Sequence, residues 1–324
     1  MPMGFVICMI IVCAISLNLS TLNSIAEIIT SSVNGAAIKT LENVDTHIPE
    51  ITHRDLIYMT RSAFVIPEYK LVFFTFPKVA CSEWKRMFMR INRNINWCVT
   101  RGFNAHDPKK NMIKVLNDYP PEIATAMMTS PVWTKAAILR EPKERVLSAF
   151  LDKAVKEDYY VRHCCEKLPD EKEQDKCKKN EEKFDSFLHY VTEYPKECFD
   201  VHWEPQIVKI DSKWWPYIDI IGYQDDLQND AQKILKHLTS ARDDVAGRTA
   251  WDRYGVTGWG ASDECEQRTS SFLEENTSAH KLDAGSQLMD WYTAETEKIV
   301  EEKWDVEWTQ EKVKFKKVKL FNGH

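Results

Sequence analysis

The pattern GxxxxGK[ST] occurs nowhere in the chain, which excludes a Walker-type phosphate loop. A clear pair of magnesium-binding carboxylates is also missing. Net positive charge is lacking: the formal charge is −6, so nothing global attracts nucleic acid, and an anionic ligand would need a local basic cleft. There is no internal repeat and no low-complexity run, which argues against a solenoid.

Long apolar runs are scarce. The clear one is Gly4–Leu19, GFVICMIIVCAISLNL, which stretches to Leu22 at most and precedes the first charge at Glu27. It is short against the roughly 20 residues of a typical membrane span. No clean A-x-A site follows it and no basic residue precedes it. An uncleaved signal-anchor over residues 1–22 is the preferred reading, and a cleaved signal peptide is the alternative. Either sends the remainder into the secretory pathway. Residues 23–67 read as a stem and entry segment, with Ile57–Phe64 as the start of the fold, and 68–324 as the folded domain.

Of the nine cysteines, Cys8 and Cys13 lie in the apolar segment and Cys81 in a turn described below. The other six are Cys98, Cys164, Cys165, Cys177, Cys198 and Cys265, an even number that predicts disulfides in an oxidising lumen. Three of them fall in HCCEKLPDEKEQDKCKKNEEK, which reads as a stapled, charged surface loop. A zinc site is the rival there, but the spacing matches no familiar motif.

The chain is organised around Leu71–Arg93. LVFFTF suits a buried strand, and Pro77 ends it. Trp84, Met87, Phe88 and Ile91 then recur at i, i+3, i+4 and i+7, one face of a helix. Such a strand–turn–helix aims backbone N–H groups and a positive helix end at one spot, where anions bind. Lys78 adds a charge there and Ser82 a hydroxyl donor.

A second stretch, Lys135–Lys153, reads KAAILREPKERVLSAFLDK. Ala136–Leu139 predicts a buried strand, Arg140 its end, and Pro142 the first turn of a helix. Val146, Leu147, Phe150 and Ala154 share one helix face. Together, PKVACSEWKR and LREPKERVLSAFLDK resemble the cofactor loops of carbohydrate sulfotransferases of the chondroitin 4-O-sulfotransferase and HNK-1 sulfotransferase type. FDVHWEPQ (Phe199–Gln206) is similar to a His-Trp segment of that family. The resemblance covers roughly Leu71–Trp308. It departs at Ser82, where the family usually has Thr, and at Lys143, where it has an aromatic residue.

Elsewhere the pattern is coarser. Asn94–Lys135 reads as a linker region, with His106 a solvated loop histidine. Phe184, Phe187, Leu188 and Val191 mark a helix. Tyr217–Gly222 reads as a strand, Asp226–Leu238 as a helix, and Leu288, Trp291, Tyr292 and Ile299 as one last helix. Arg242–Glu266 reads as a variable loop whose Trp251 and Trp259 could stack on sugars or fill the core. Strands alternating with helices predict an α/β fold, a mostly parallel sheet flanked by helices with ligands at the carboxyl ends of the strands. The resemblance implies a P-loop-like sulfotransferase fold.

It also implies the sulfonyl donor 3′-phosphoadenosine 5′-phosphosulfate (PAPS), a carbohydrate acceptor, no metal, and a single-pass type II protein of the Golgi membrane with a luminal domain. The phosphosulfate would take Lys78, Ser82 and the backbone of Val79, Ala80, Cys81, Ser82 and Glu83. The 3′-phosphate would take Arg140 and Ser148. Arg145 either joins that site or pairs with a carboxylate. Thr277 and Ser278 match a hydroxyl pair of the family, but they also complete the glycosylation sequon at Asn276. Lys78 would stabilise the leaving group and His202 would be the base. On an extended segment Asp200 and Glu204 would share its face, and Trp203 would point into the core. The alternative for His202 is a structural hydrogen bond, with Glu204 and Glu83 as the next bases. Two other functions stand beside this one: a kinase with an unusual phosphate loop, and a secretory glycan-binding protein without catalysis.

Overall fold

Two strands, β1 (Ala63–Ile66) and β2 (Leu71–Phe74), form a hairpin closed by the 3-10 turn Pro67–Tyr69. Every residue of both strands is buried, so both faces of the sheet are covered. The computed structural model describes residues 50–52, 63–99, 104–239, 248–255, 284–315 and 320–321.

Helix α1 (Cys81–Ile91) follows β2 and buries Trp84, Met87, Phe88 and Ile91, the face expected from their spacing. The Phe73 ring of β2 lies 4.4 Å from Trp84 and 5.0 Å from Phe88 between centroids, which fixes α1 on the sheet. Three further strands, β3 (Lys114–Val115), β4 (Thr134–Leu139) and β5 (Ile220–Tyr223), complete the order β3-β1-β2-β4-β5. β2 pairs parallel with β4, and β4 with β5, while β1 runs antiparallel to both its neighbours. Four strands therefore share a direction, and the mostly parallel α/β architecture is as expected. Phe74 sits opposite Ala137, so β2 and β4 deliver their carboxyl ends to the same edge of the sheet. The turn after β2 and Arg140 after β4 are neighbours for that reason.

The remaining helices are α2 (Pro108–Asn111), α3 (Pro121–Thr129), α4 (Pro142–Phe150), α5 (Tyr159–His163), α6 (Glu171–Lys179), α7 (Phe184–Glu193), α8 (Leu227–His237), α9 (Leu288–Trp291), α10 (Ala294–Lys303) and α11 (Asp305–Thr309). One apolar cluster joins the sheet to α1, α3 and α8. A second joins α4 to α7, Trp203 and the C-terminal helices. At its centre Phe150 packs 5.2 Å from Phe184, 5.4 Å from Phe187 and 5.2 Å from Trp291.

Several expectations change. The charged stretch around Cys177 is not a loop. It carries a 3-10 turn, Cys165–Lys167, and α6, with Cys164–Cys198 and Cys165–Cys177 disulfides buried beneath the charges. Those bonds leave no thiolate there for zinc, and Cys98 is disulfide-bonded too. Cys265 lies outside the described residues, as does the N-terminal segment 1–49. The linker 94–135 contains α2, β3 and α3. Strand β5 starts later than expected because Ser212–Tyr217, with Pro216 inside it, forms a 3-10 helix. The single last helix is three. Tyr292 is extended, and Thr293 restarts the chain as an N-cap whose hydroxyl accepts the Thr296 N–H at 3.2 Å.

Gly222 of β5 packs closely against Ile138 of β4 and Asp230 of α8. A Cβ there would stand 2.7 Å from Ile138 Cδ1 and 2.8 Å from Asp230 Cβ. Gly222→Ala should lower stability by about 1–3 kcal/mol through overpacking, read as a drop in melting temperature. An unchanged value would mean that α8 can give way.

Candidate active site

The turn Pro77–Ala80 carries the chain from β2 into α1. Lys78 and Ala80 adopt left-handed backbone, with φ 71° and 59°. For non-glycine residues such strain costs on the order of 1–3 kcal/mol each, and the surroundings must hold it. Ala80 is the N-cap, and its carbonyl accepts both Glu83 N–H (3.0 Å) and Trp84 N–H (3.1 Å). The N–H groups of Cys81 and Ser82 precede these first bonds, at the positive end of the helix. Two arginines hold the turn from outside. Arg140 Nη1 donates to Lys78 O at 3.3 Å, and Arg145 Nε donates to Pro77 O at 3.2 Å.

The Lys78 side chain, 12% exposed, pairs with Asp152 Oδ2 at 3.0 Å. Lys153 reaches the same oxygen at 3.2 Å. Burial pushes the Lys78 ammonium below the usual lysine range, and the Asp152 charge offsets only part of that. An anion beside Lys78 would favour its charged form, so this group suits an anionic ligand. Asp152 and Lys153 stand on a π turn, Leu151–Val155, that continues α4. Turns of that kind gather at functional sites.

Arg140 leaves β4 with its Nε on Glu144 Oε2 at 3.3 Å. Its backbone is gripped on both sides by buried Gln206: Arg140 N–H donates to Gln206 Oε1 (3.1 Å), and Gln206 Nε2 donates to Arg140 O (2.6 Å). Gln206 is held in turn by Glu307 of α11, which accepts its backbone N–H at 2.7 Å and its Nε2 at 2.5 Å. Burial pushes the Glu307 carboxyl up to about 7, against the pull of Arg145. Ser148 is buried on α4, two turns beyond Arg140.

Burial lowers the proton affinity of Arg145, the charges of Glu307 and Glu204 oppose that, and its hydrogen bonds go to backbone. It is fully buried and donates to three carbonyls: Pro77, Glu204 (2.7 Å) and Val201 (2.9 Å). It is a strut between the anion turn and the His-Trp segment. Lys143 is also buried and binds Glu297 (2.5 Å) and Glu301 (2.9 Å), tying α4 to α10.

The segment around His202 is a turn, not an extended strand. The Asp200 carboxylate closes it, because Oδ1 accepts both His202 N–H (2.9 Å) and the ring at Nδ1 (2.5 Å). Asp200 Oδ2 accepts Tyr159 OH at 2.7 Å. Burial alone would raise the Asp200 carboxyl, but the bonds to His202 and Tyr159 outweigh it and hold it low. Glu204 turns away and pairs with Lys209. Trp203 is buried as expected and donates Nε1–H to Cys198 O at 2.7 Å. Glu83 sits in the first turn of α1, where its charge acts on Arg86.

The structure therefore joins Lys78, Arg140 and the turn directly. His202 connects to them through Asp152, Lys153, the Tyr159 ring 5.1 Å below the Lys153 ammonium, and Asp200. Asp152, Lys153, Tyr159, Gln206 and Glu307 escaped sequence reasoning. Asp152 and Lys153 are the last two residues of the second motif, which was the available signal. Trp251 belongs to the core cluster and is 7% exposed, so the sugar-stacking reading fails for it. Trp259, Asn276, Thr277 and Ser278 lie outside the described residues. A cleft of about 870 Å3 runs between α7 and α10, but none of the site residues lines it.

Glu141 offers a test of this buried polar layer. Its Oε2 caps α4 by accepting Glu144 N–H at 2.9 Å, while its Oε1 is buried with no hydrogen-bond partner. Burial pushes the carboxyl from 4.5 up to about 7. Between these values the folded chain holds a proton that the unfolded chain has released, so stability falls as pH rises through that window. Glu307 adds to the fall in the same window. Glu141→Gln keeps the cap and removes the ionisation. It should flatten part of the fall and raise the melting temperature above pH 7. An unchanged pH slope would mean that Glu141 does not bind a proton on folding.

Comparison with known proteins follows the same lines. Human carbohydrate sulfotransferase 9 is 27% identical over 202 residues, 59% of this chain and 44% of the relative. Human carbohydrate sulfotransferase 10 is 26% identical over 214 residues, 60% of this chain and 58% of the relative. Rat carbohydrate sulfotransferase 11 is 24% identical over 198 residues, 57% and 54%. The matched region thus spans about half the length of these curated relatives. No solved structure matches significantly. The sulfotransferase family model matches residues 61–283, well over half of the chain and the whole of the anion turn, Arg140 and His202. The chain belongs to the sulfotransferase family.

Proposed function

We propose that the chain transfers the sulfonyl group of PAPS to a hydroxyl of a carbohydrate. The observation that carries this is the meeting of Lys78, the α1 N-terminus and Arg140 at one sheet edge, with Asp200–His202 tied to it by Arg145. The carbohydrate acceptor rests on the names of the relatives. The disulfides fit an oxidising compartment. A Golgi location with residues 1–22 as a membrane anchor is part of the same proposal.

PAPS would supply the activated sulfonyl group and a nucleotide leaving group. Lys78, the Ser82 hydroxyl and the N–H groups of Val79 to Ser82 would hold its phosphosulfate, the Glu83 N–H being taken by the Ala80 carbonyl. Arg140 and Ser148 would hold the 3′-phosphate, with Thr277 and Ser278 as further contacts. Lys78 exchanges Asp152 for the ligand and meets the charge that grows on the departing oxygen. Lys153 keeps Asp152 neutralised when it does. His202, with Nδ1 turned to the Asp200 carboxylate, leaves Nε2 as the acceptor for the proton of the sugar hydroxyl. Arg145 keeps the two halves in register, which matters because positioning supplies much of the rate in such transfers.

Lys78→Ala should lower turnover by on the order of a hundredfold or more. His202→Ala should lower it by about 10²–10⁴ while nucleotide affinity and melting temperature hold. Labelled-donor assays on a glycan panel, with calorimetry beside them, measure both. A His202→Ala protein that unfolds or turns over normally would make this histidine structural. Arg140→Ala should weaken binding of 3′-phosphoadenosine 5′-phosphate by about ten- to a hundredfold. It should weaken adenosine 5′-phosphosulfate less, because that ligand feels only the lost bond from Arg140 to the Lys78 carbonyl; equal losses for the two would remove Arg140 from the 3′ site. Binding of ATP in preference to the 3′-phosphorylated nucleotide would instead favour a kinase. Tight glycan binding without turnover would favour an inactive lectin-like protein.

A further inference from the structure

His106 looked like a solvated loop residue, yet both of its ring nitrogens are engaged. Nε2 lies 2.7 Å from Ser82 Oγ, and Nδ1 lies 2.8 Å from Lys85 Nζ. A lysine ammonium has only donors, so Nδ1 must accept from it. In the neutral ring Nε2 then carries the proton and donates to Ser82 Oγ. The serine oxygen is an acceptor in that bond, and its own O–H is left to donate elsewhere. Ser82 is in the first turn of α1, directly beside the anion turn.

The loop that presents His106 is firmly built. Asn111, buried, donates to Ala105 O at 2.9 Å. Asn94, also buried, donates to Lys110 O (2.9 Å) and Asn111 O (3.3 Å) from the end of α1. Asn104 accepts the His106 N–H at 2.8 Å. Lys85 in turn rests over the Phe64 ring, 5.6 Å from its centroid. Together these contacts place one imidazole on one hydroxyl.

We propose that His106 is a positioning residue that fixes the Ser82 hydroxyl as a hydrogen-bond donor to the anion held in the turn. This rests on the reading of that turn as the phosphosulfate site. His106 acts through Ser82 and touches no ligand itself, so its effect should vanish when Ser82 is absent. The conservative replacement is also defined. Glutamine can bring an amide N–H to the Nε2 position, whereas alanine cannot.

The test uses the full chain and the nucleotide 3′-phosphoadenosine 5′-phosphate, titrated calorimetrically. His106→Ala and Ser82→Ala should each weaken binding by about two- to tenfold, the worth of one net hydrogen bond. The double variant should bind no worse than Ser82→Ala alone, and His106→Gln should recover most of the loss. Losses that multiply in the double variant, or a His106→Ala protein with unchanged affinity, would overturn the proposal while leaving the turn assignment intact. If the unmutated chain fails to bind the nucleotide, the turn assignment itself falls. The ring tautomer then decides the remaining claim. Nitrogen NMR should show a protonated Nε2 and a bare Nδ1, and the opposite tautomer would overturn it.

Discussion

A single buried guanidinium holds the two halves of the site together. Arg145 sits on α4, is 1% exposed, and spends its donors on the carbonyls of Pro77, Val201 and Glu204. Those carbonyls belong to segments far apart in sequence, neither of which is regular structure at that point. Without a buried donor they would carry unsatisfied acceptors, each costing roughly 1–3 kcal/mol. Burial works against the Arg145 charge, and the charges of Glu307 and Glu204 favour it. The arginine therefore fixes geometry: a strained turn on one side, a histidine turn on the other.

Around this strut the protein keeps charges in matched sets. Lys78 and Lys153 share Asp152, Arg140 leans on Glu144, and Lys143 is shared by Glu297 and Glu301. Burial works against the charges of Lys78, Asp152 and Lys153, and the opposite charges among them favour the ionised forms. Burial outweighs the hydrogen bonds at two carboxyls: Glu141 and Glu307 both rise to about 7. Burial lowers the proton affinity of Lys78 despite Asp152, so an arriving anion would favour its charged form. The left-handed backbone of Lys78 and Ala80 adds strain that the two arginines contain.

The helical half of the molecule is stapled separately. Its disulfides and its Phe150–Phe184–Phe187 stack form their own core, and the link to the sheet runs through α4. The same helix starts with Glu141, carries Arg145 and Ser148, and ends in the π turn of Asp152 and Lys153. Sheet edge, anion turn and histidine turn all meet on it.

Local sequence alone determined the anion turn. The apolar run at Leu71, the break at Pro77 and the spacing of Trp84, Met87, Phe88 and Ile91 dictate strand, turn and helix, because each is a short-range preference. Arg140 and α4 were legible for the same reason, from Pro142 and the apolar face after it. The pairing of Asp200 with His202 was legible too, since two residues suffice for a carboxylate to reach back. Its shape was not: Asp200 folds the segment into a turn, so Glu204 leaves the histidine's side. Tertiary structure alone decided what Arg145 does, because its three acceptors are 56 or more residues away along the chain. It likewise decided that His106 reaches Ser82 across 24 positions, and that Gln206 and Glu307 bind across 101. Such contacts carry no periodicity and no local motif. They exist because parallel pairing of β2 with β4 brings distant segments to one edge, and buried polar groups there must find one another.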